Sequence, residues 1–126
     1  MNSIGIGFAL LGMSNTKFIS DNVANNIFNY IKDTGINRFD TAPLYGGGLS
    51  EERLGKLLKN IDRKDFILST KVGRYRPYSE PIKDPKNNTS DWYDYSAETT
   101  EKSIFNSLEK LNTDYLDIVF IHDCDN

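Results

Sequence analysis

Four short apolar runs punctuate the chain: Ile4–Phe8, Ile36–Phe39, Phe66–Thr70 and Leu116–Ile121. The first three start about 30 residues apart, the length of a β-strand plus a helix that carries the chain back to its start. No other feature constrains the fold as strongly. Parallel neighbours cannot be joined by a tight turn and need a crossover of a dozen or more residues, usually a helix. The intervening segments have the matching period. After Ser20, apolar residues fall at Val23, Ala24, Ile27, Phe28 and Ile31, one face of a 3.6-residue helix. Gly35 stands where a left-handed C-terminal cap is expected. A second helix is predicted from Ser50 as N-cap, with Glu51 and Glu52 in its first turn, Leu54, Leu57 and Leu58 on its buried face and Lys59 in its last turn. A third opens near Ser96 and is expected to bury Ile104, Phe105, Leu108 and Leu111. The order is (βα)3β. This is an α/β chain whose parallel sheet is either open and doubly wound or closed into a barrel. With no linker, low-complexity tract or heptad run, residues 1–126 read as one domain.

Composition removes several classes of function. With 15 Lys+Arg against 18 Asp+Glu the formal charge is −3, so no basic excess is present to neutralise a phosphate backbone, and nucleic acid is not expected as a partner. No stretch approaches the ~20 apolar residues of a membrane span. Ile4–Met13 is apolar, but it lacks a preceding basic region and a following small-residue cleavage site, and Gly5 and Gly7 suit a packed strand. A lone cysteine, Cys124, cannot form an internal disulfide, and a cytoplasmic location is expected. With one His and one Cys, no protein metal site is expected.

Parallel α/β proteins place their sites at the carboxyl ends of the strands. Three of the four runs end in an ionisable side chain: Asp40 after the second, Lys71 after the third, His122 after the fourth. Tyr45 lies in the loop just beyond Asp40. Taken singly, each has a structural role open to it, as a loop cap, a solvated strand end or a packing group. Together they suit proton transfer to a carbonyl oxygen. A free phenol, with a pKa of ~10, is too weak an acid to shuttle protons near neutrality. A nearby ammonium lowers that pKa, a carboxylate holds the ammonium charged and in place, and an imidazole can orient the carbonyl. No nucleophile–base pair and no second carboxylate beside Asp40 is apparent, so the cluster points to chemistry in which a cofactor carries the hydride.

Weaker signals accompany these. Gly46-Gly47-Gly48 reads as a flexible turn rather than a phosphate loop, because Ser50 stands where a P-loop before Gly55-Lys56 needs its first glycine and Leu57 follows in place of Ser/Thr. Gly73–Tyr95 is the one long irregular insertion. It is rich in Tyr and carries Trp92, with Arg74, Arg76, Lys83 and Lys86 balanced by Glu80, Asp84, Asp91 and Asp94, which favours a substrate-covering lid over a base-stacking platform. The Asn87–Ser90 sequons carry little meaning without an export signal.

These residues resemble the aldo-keto reductase family. Phe39-Asp40-Thr41-Ala42-Pro43-Leu44-Tyr45-Gly46 and the following Leu49-Ser50-Glu51-Glu52-Arg53-Leu54-Gly55 are similar to its Asp/Tyr signature and next helix. Leu68–Gly73 resembles its lysine strand, and Asp114–Ile118 through Ile121-His122 its histidine strand. The variants Tyr45–Glu51, Lys71-Val72-Gly73-Arg74 and Asp94-Tyr95-Ser96 are similar to the aldose (fucose- or galactose-type) 1-dehydrogenases, with pyridoxal dehydrogenases near the same branch. The resemblance implies the N-terminal half of a (β/α)8 TIM barrel and hydride transfer between NADP or NAD and a small carbonyl or sugar substrate. Carried over, Tyr45 is the general acid/base, Lys71 lowers its pKa, Asp40 pairs with Lys71 near the nicotinamide ribose, and His122 orients the substrate oxygen. Gly7 and Phe8 are implied near the nicotinamide. A whole barrel takes ~250 residues, so strands five to eight are not expected here. The chain taken alone is expected to turn over little, and self-association through exposed half-barrel edges, or pairing with a separate half, is the alternative.

Overall fold

The computed structural model describes residues 4–12, 19–76 and 92–125. Its element order is β1 (Ile6–Gly7), α1 (Ala9–Gly12), α2 (Asp21–Asp33), β2 (Arg38–Asp40), a 3-10 turn (Tyr45–Gly48), α3 (Leu49–Leu58), a second 3-10 turn (Arg63–Asp65), β3 (Ile67–Val72), β4 (Arg74–Tyr75), β5 (Trp92–Tyr93), α4 (Ala97–Leu111) and β6 (Ile118–Ile121). Strands β1, β2, β3 and β6 form one parallel sheet in that order, and the absence of a reversal in strand order is that of a barrel rather than of a doubly wound sheet. The short β4 and β5 form a separate antiparallel ribbon within the predicted insertion. Most of that insertion, including Tyr78, Lys83, Asp84 and the sequons, lies outside the described residues. No helix among the described residues is long and apolar enough to cross a membrane.

Register and pleat divide the sheet into two faces. Phe39 pairs with Leu68 and Asp40 with Ser69, so successive residues alternate between the helices and the opposite face. Phe8, just beyond β1, joins Phe39 and Leu68 on the helix side, with Phe28 and Ile31 of α2 and Leu54 and Leu58 of α3 over them. Phe8, Phe28, Phe39 and Phe66 form a tilted relay with ring centroids 5.7–6.4 Å apart. Each such ring contributes roughly 1.5–3 kcal/mol by leaving water. The opposite face carries Gly7, Asp40, Ser69, Lys71, Ile118 and Phe120 along a groove of about 510 Å³.

Helix ends follow the sequence in two cases out of three. Ser20 caps α2 and Ser96 caps α4, each accepting a backbone N–H with its side-chain oxygen, and Gly35 takes its left-handed conformation (φ 75°). Ser50 does not cap α3. The helix opens at Leu49 after Gly48, and Ser50 is fully buried, its hydroxyl donating to the Phe8 carbonyl at 2.8 Å. Having spent its one proton there, it accepts from Thr41 Oγ1 at 2.9 Å. Glu51, read as a first-turn charge, is also buried and accepts from Thr70 Oγ1 at 2.8 Å.

The buried helix faces are narrower than the apolar pattern predicts. On α2, Ala24, Phe28 and Ile31 are buried while Val23 and Ile27 lie exposed on its shoulder. On α3, Leu57 is half-buried beside the buried Leu54 and Leu58. On α4, Leu111 is buried with Ser103 and Ser107, Ile104 and Leu108 are half-buried, and Phe105 is exposed. Phe105 follows Ser103 by two residues, about 200° round the helix, which turns it away. Small residues suit this face because α3 and α4 nearly touch: a Cβ at Gly55 would stand 2.3 Å from the Lys110 carbonyl. Both faces of β6 remain open, with Ile118, Val119, Phe120 and Ile121 all exposed.

Arg53 secures the segment leading into the site. Almost wholly buried, it donates to the carbonyls of Leu11 and Ile19 at 2.6 and 2.8 Å and to Asp21 at 2.8 Å. One guanidinium thereby joins α1, the start of α2 and α3.

Candidate active site

The strand-end residues converge. Asp40 closes β2 and Lys71 sits one residue before the end of the neighbouring β3, both on the groove face. Lys71 Nζ donates to Asp40 Oδ2 at 2.6 Å and to the Thr41 carbonyl at 2.9 Å. The other carboxylate oxygen, Asp40 Oδ1, accepts from Ser69 Oγ at 2.7 Å. Both groups of the pair are therefore oriented from two sides, as a charge-assisted contact needs to be held in one geometry. Lys71 Nζ also stands 5.0 Å from the centre of the Tyr45 ring.

Tyr45 is placed by its turn. The expected flexible glycine turn is instead buried, with Gly46, Gly47 and Gly48 all left-handed at φ 66°, 63° and 98°. Gly46 lies against Gly12: a Cβ at Gly46 would stand 2.3 Å from the Gly12 carbonyl oxygen, and one at Gly12 would stand 2.3 Å from the Tyr45 carbonyl carbon. The third glycine faces the end of the Lys110 side chain, whose ammonium donates to the Gly47 carbonyl at 3.4 Å. Only residues without a Cβ allow the backbones to approach this closely.

His122 follows β6 directly, and its backbone N–H donates to the Val72 carbonyl at 2.8 Å. Its ring meets that of Tyr45 edge-on, with centroids 5.8 Å apart and planes at 86°. Burial pushes the imidazole pKa below its ordinary value. The Asp123 carboxylate opposes that shift, while Lys71 and Arg74 add to it. The ring is accordingly neutral near pH 7 and has one N–H to donate.

Of the six residues singled out from the sequence, Asp40, Tyr45, Lys71 and His122 form this one cluster. Gly7 pairs with Asp40 across the sheet, and a Cβ there would meet nothing within 4 Å. The Phe8 ring is packed in the core, leaving only its backbone for any contact at the site. Sequence reasoning missed the carbonyl of Thr41, the hydroxyl of Ser69 and the Gly12–Gly46 contact. It also missed Asp123, which lies 3.8 Å from His122 Nε2 and pairs with Arg74. Ser69 alone had a usable signal, being two residues from Lys71 on a strand and so on the same face.

Comparison with known proteins shows the family of the chain. The Aldo/keto reductase family profile matches residues 3–126. L-galactose dehydrogenase of Arabidopsis thaliana is 38% identical over 125 residues, covering 98% of this chain and 34% of that protein. D-threo-aldose 1-dehydrogenase of a Pseudomonas species is 34% identical, covering 96% of this chain and 40% of that protein. An aldo-keto reductase from Bacillus halodurans, solved in a holo form, superposes with a TM-score of 0.71 at 34% identity, over 94% of this chain and 35% of that one. The chain thus spans little more than a third of the length of these three relatives. With the profile matched from strand β1 to the last residue, and relatives above 30% identity along almost its whole length, the chain belongs to the aldo/keto reductase family.

Proposed function

We propose that this chain carries the proton-transfer half of an NAD(P)-dependent oxidoreductase acting on C1 of an aldose or on a simple carbonyl. The observation that carries the proposal is the convergence of Tyr45, Lys71, Asp40 and His122 on one end of the parallel sheet. The residues present fit the nicotinamide end of such a cofactor: Gly7 leaves open space in the groove, and the Asp40 carboxylate beside it can accept from a ribose hydroxyl. When bound, the nicotinamide supplies or accepts the hydride. NAD and NADP fit this end equally.

In the reducing direction the neutral His122 donates to the carbonyl oxygen and fixes its position. Tyr45 gives its phenolic proton to that oxygen as hydride arrives at carbon, leaving a phenolate facing the Lys71 ammonium. In the oxidising direction the phenolate takes the proton of the C1 hydroxyl as hydride leaves C1, and a hemiacetal becomes a lactone. The Asp40 carboxylate and Thr41 carbonyl hold the ammonium in one position throughout. Steady-state oxidation of an aldose panel tests this. Tyr45→Phe is expected to lower kcat by about 10³-fold or more with little change in fold, and turnover at the wild-type rate would refute the role given to Tyr45.

A second reading, assembly with another half-barrel, draws on the open β6, whose four residues are all exposed apolar side chains. Light scattering across a concentration series separates the two. A stable monomer at every concentration counts against assembly.

A further inference from the structure

The rim beside His122 holds residues that the proton-transfer scheme does not use. Arg74, at the start of β4, forms an ion pair with Asp123, in the turn after β6, so the pair bridges the carboxyl ends of two neighbouring sheet strands. Roughly a third of each side chain is exposed (28% and 35%), so both are open to solvent. Asp123 Oδ2 stands 3.8 Å from His122 Nε2, which places the pair next to the group assigned to the substrate oxygen. The Arg74 guanidinium lies 5.4 Å from the centre of the Tyr93 ring, and the Tyr93 and Tyr95 rings, each almost half exposed, are 6.3 Å apart at 34°.

This rim is held in place from beneath. The single proton of Tyr95 Oη is shared between the carbonyls of His122 and Asp123, at 3.0 and 3.1 Å. Its ring covers Gly73, where φ is 102° and a Cβ would stand 2.1 Å from Tyr95 Cε1. One tyrosine therefore links the strand end after Lys71 to the strand end at His122, and holds Asp123 in its left-handed conformation (φ 50°).

A substrate whose reacting oxygen meets Tyr45 and His122 must extend its remaining atoms past one side of that pair. On the Asp123 side it meets a carboxylate that accepts, a guanidinium that donates in a fixed fork, and aromatic faces. A vicinal diol needs both kinds of partner because each hydroxyl donates and accepts, and sugar C–H faces suit an aromatic surface. The ion pair carries no net charge, so it favours neither anionic nor cationic substrates. Being partly exposed, it opens at little cost to admit hydroxyls between its members. A plain alkyl aldehyde gains nothing from it.

We propose that Arg74 and Asp123, backed by Tyr93 and Tyr95, are the specificity determinants that select a polyhydroxylated substrate at this site. The inference rests on the oxidoreductase reading above and narrows it to sugars. The test compares an aldose with tetrahydropyran-2-ol, a hemiacetal stripped of every other hydroxyl, on the wild-type protein and on Arg74→Gln and Asp123→Asn. Saturation-transfer NMR reads binding and steady-state kinetics reads turnover. Each variant is expected to lower the ratio of aldose to tetrahydropyran-2-ol kcat/KM by about tenfold or more, chiefly through aldose KM, and to weaken the aldose NMR signal. Arg74→Lys, which keeps the charge but not the fork, is expected to fall between. An equal loss for both substrates, or an unchanged ratio, overturns the proposal, as does a wild-type protein that binds both equally. Aldose binding that depends on Arg74 without turnover of either substrate supports the rim while giving the oxidoreductase reading no support.

Discussion

Replacing Gly12 by alanine tests whether backbone contact positions the candidate acid. Gly12 ends α1 with no left-handed strain, so the added methyl is the whole perturbation. In helix propensity alone the change is favourable by up to ~1 kcal/mol. Sterically it is not, because the new Cβ would stand 2.3 Å from the Tyr45 carbonyl carbon, 2.5 Å from its oxygen and 2.7 Å from the Gly46 nitrogen, where ordinary contact begins at 3.4 Å. The partners are backbone atoms that cannot rotate away, so the turn has to retreat by about 1 Å. Overpacking of this kind costs roughly 1–3 kcal/mol, which outweighs the propensity gain and lowers Tm by about 5 °C in a domain of this size. The displaced residue is Tyr45 itself, and a misplacement of ~1 Å costs about 10²-fold in rate. Differential scanning fluorimetry with steady-state kinetics measures both effects. Gly7→Ala serves as the comparison: its Cβ meets nothing within 4 Å, so Tm is expected to hold while the cofactor KM rises. A Gly12→Ala variant with wild-type Tm and kcat, or a Gly7→Ala variant that melts as early, would refute the reasoning.

Two further outcomes concern buried charge. Arg53→Met keeps most of the side-chain volume but leaves the Leu11 and Ile19 carbonyls without their donor, and a loss of about 2–4 kcal/mol is expected in urea unfolding; the exposed Asp21 adds little, and a loss under about 1 kcal/mol would contradict the bracing role. Glu51 has its pKa raised by burial, against the opposing pull of the Ser107 and Thr70 hydroxyls, Lys110 and Lys71. The folded state therefore holds this proton more tightly than the unfolded state, so the contribution of Glu51 to stability is greatest below its unfolded pKa and is lost as pH rises through the folded one. Glu51→Gln, which can keep the bond from Thr70, removes that decline. Its stability relative to wild type is expected to improve from pH 4 to pH 8, and a pH-independent difference would show that Glu51 is ionised at no cost.

The strand–helix alternation was legible because it depends on local periodicity, and the positions of Asp40, Lys71 and His122 followed from one rule about strand ends. Residues whose roles depend on distant partners were not legible. Ser50 has every local mark of a helix cap, yet its hydroxyl meets the Phe8 carbonyl, 42 residues away in sequence. Glu51 likewise has the marks of a solvent-facing first-turn acid until α4 and β3 close over it. Phe105 carries the strongest apolar side chain of its helix and is exposed, because close approach of α3 and α4 selects a face of serines. The β4–β5 ribbon is invisible to periodicity at two residues a strand.

The amino-acid sequence by itself determined the order of elements, the parallel sheet and which ionisable groups stand at its carboxyl end. These follow from repeat length and from the alternation of side chains along a strand. Only the tertiary structure decided that Tyr45 stands over Lys71, that three glycines are required before α3, and that Arg74 meets Asp123 beside His122. Those features are set by contacts between backbones and side chains far apart in the chain, and such distances exist only once the core has closed.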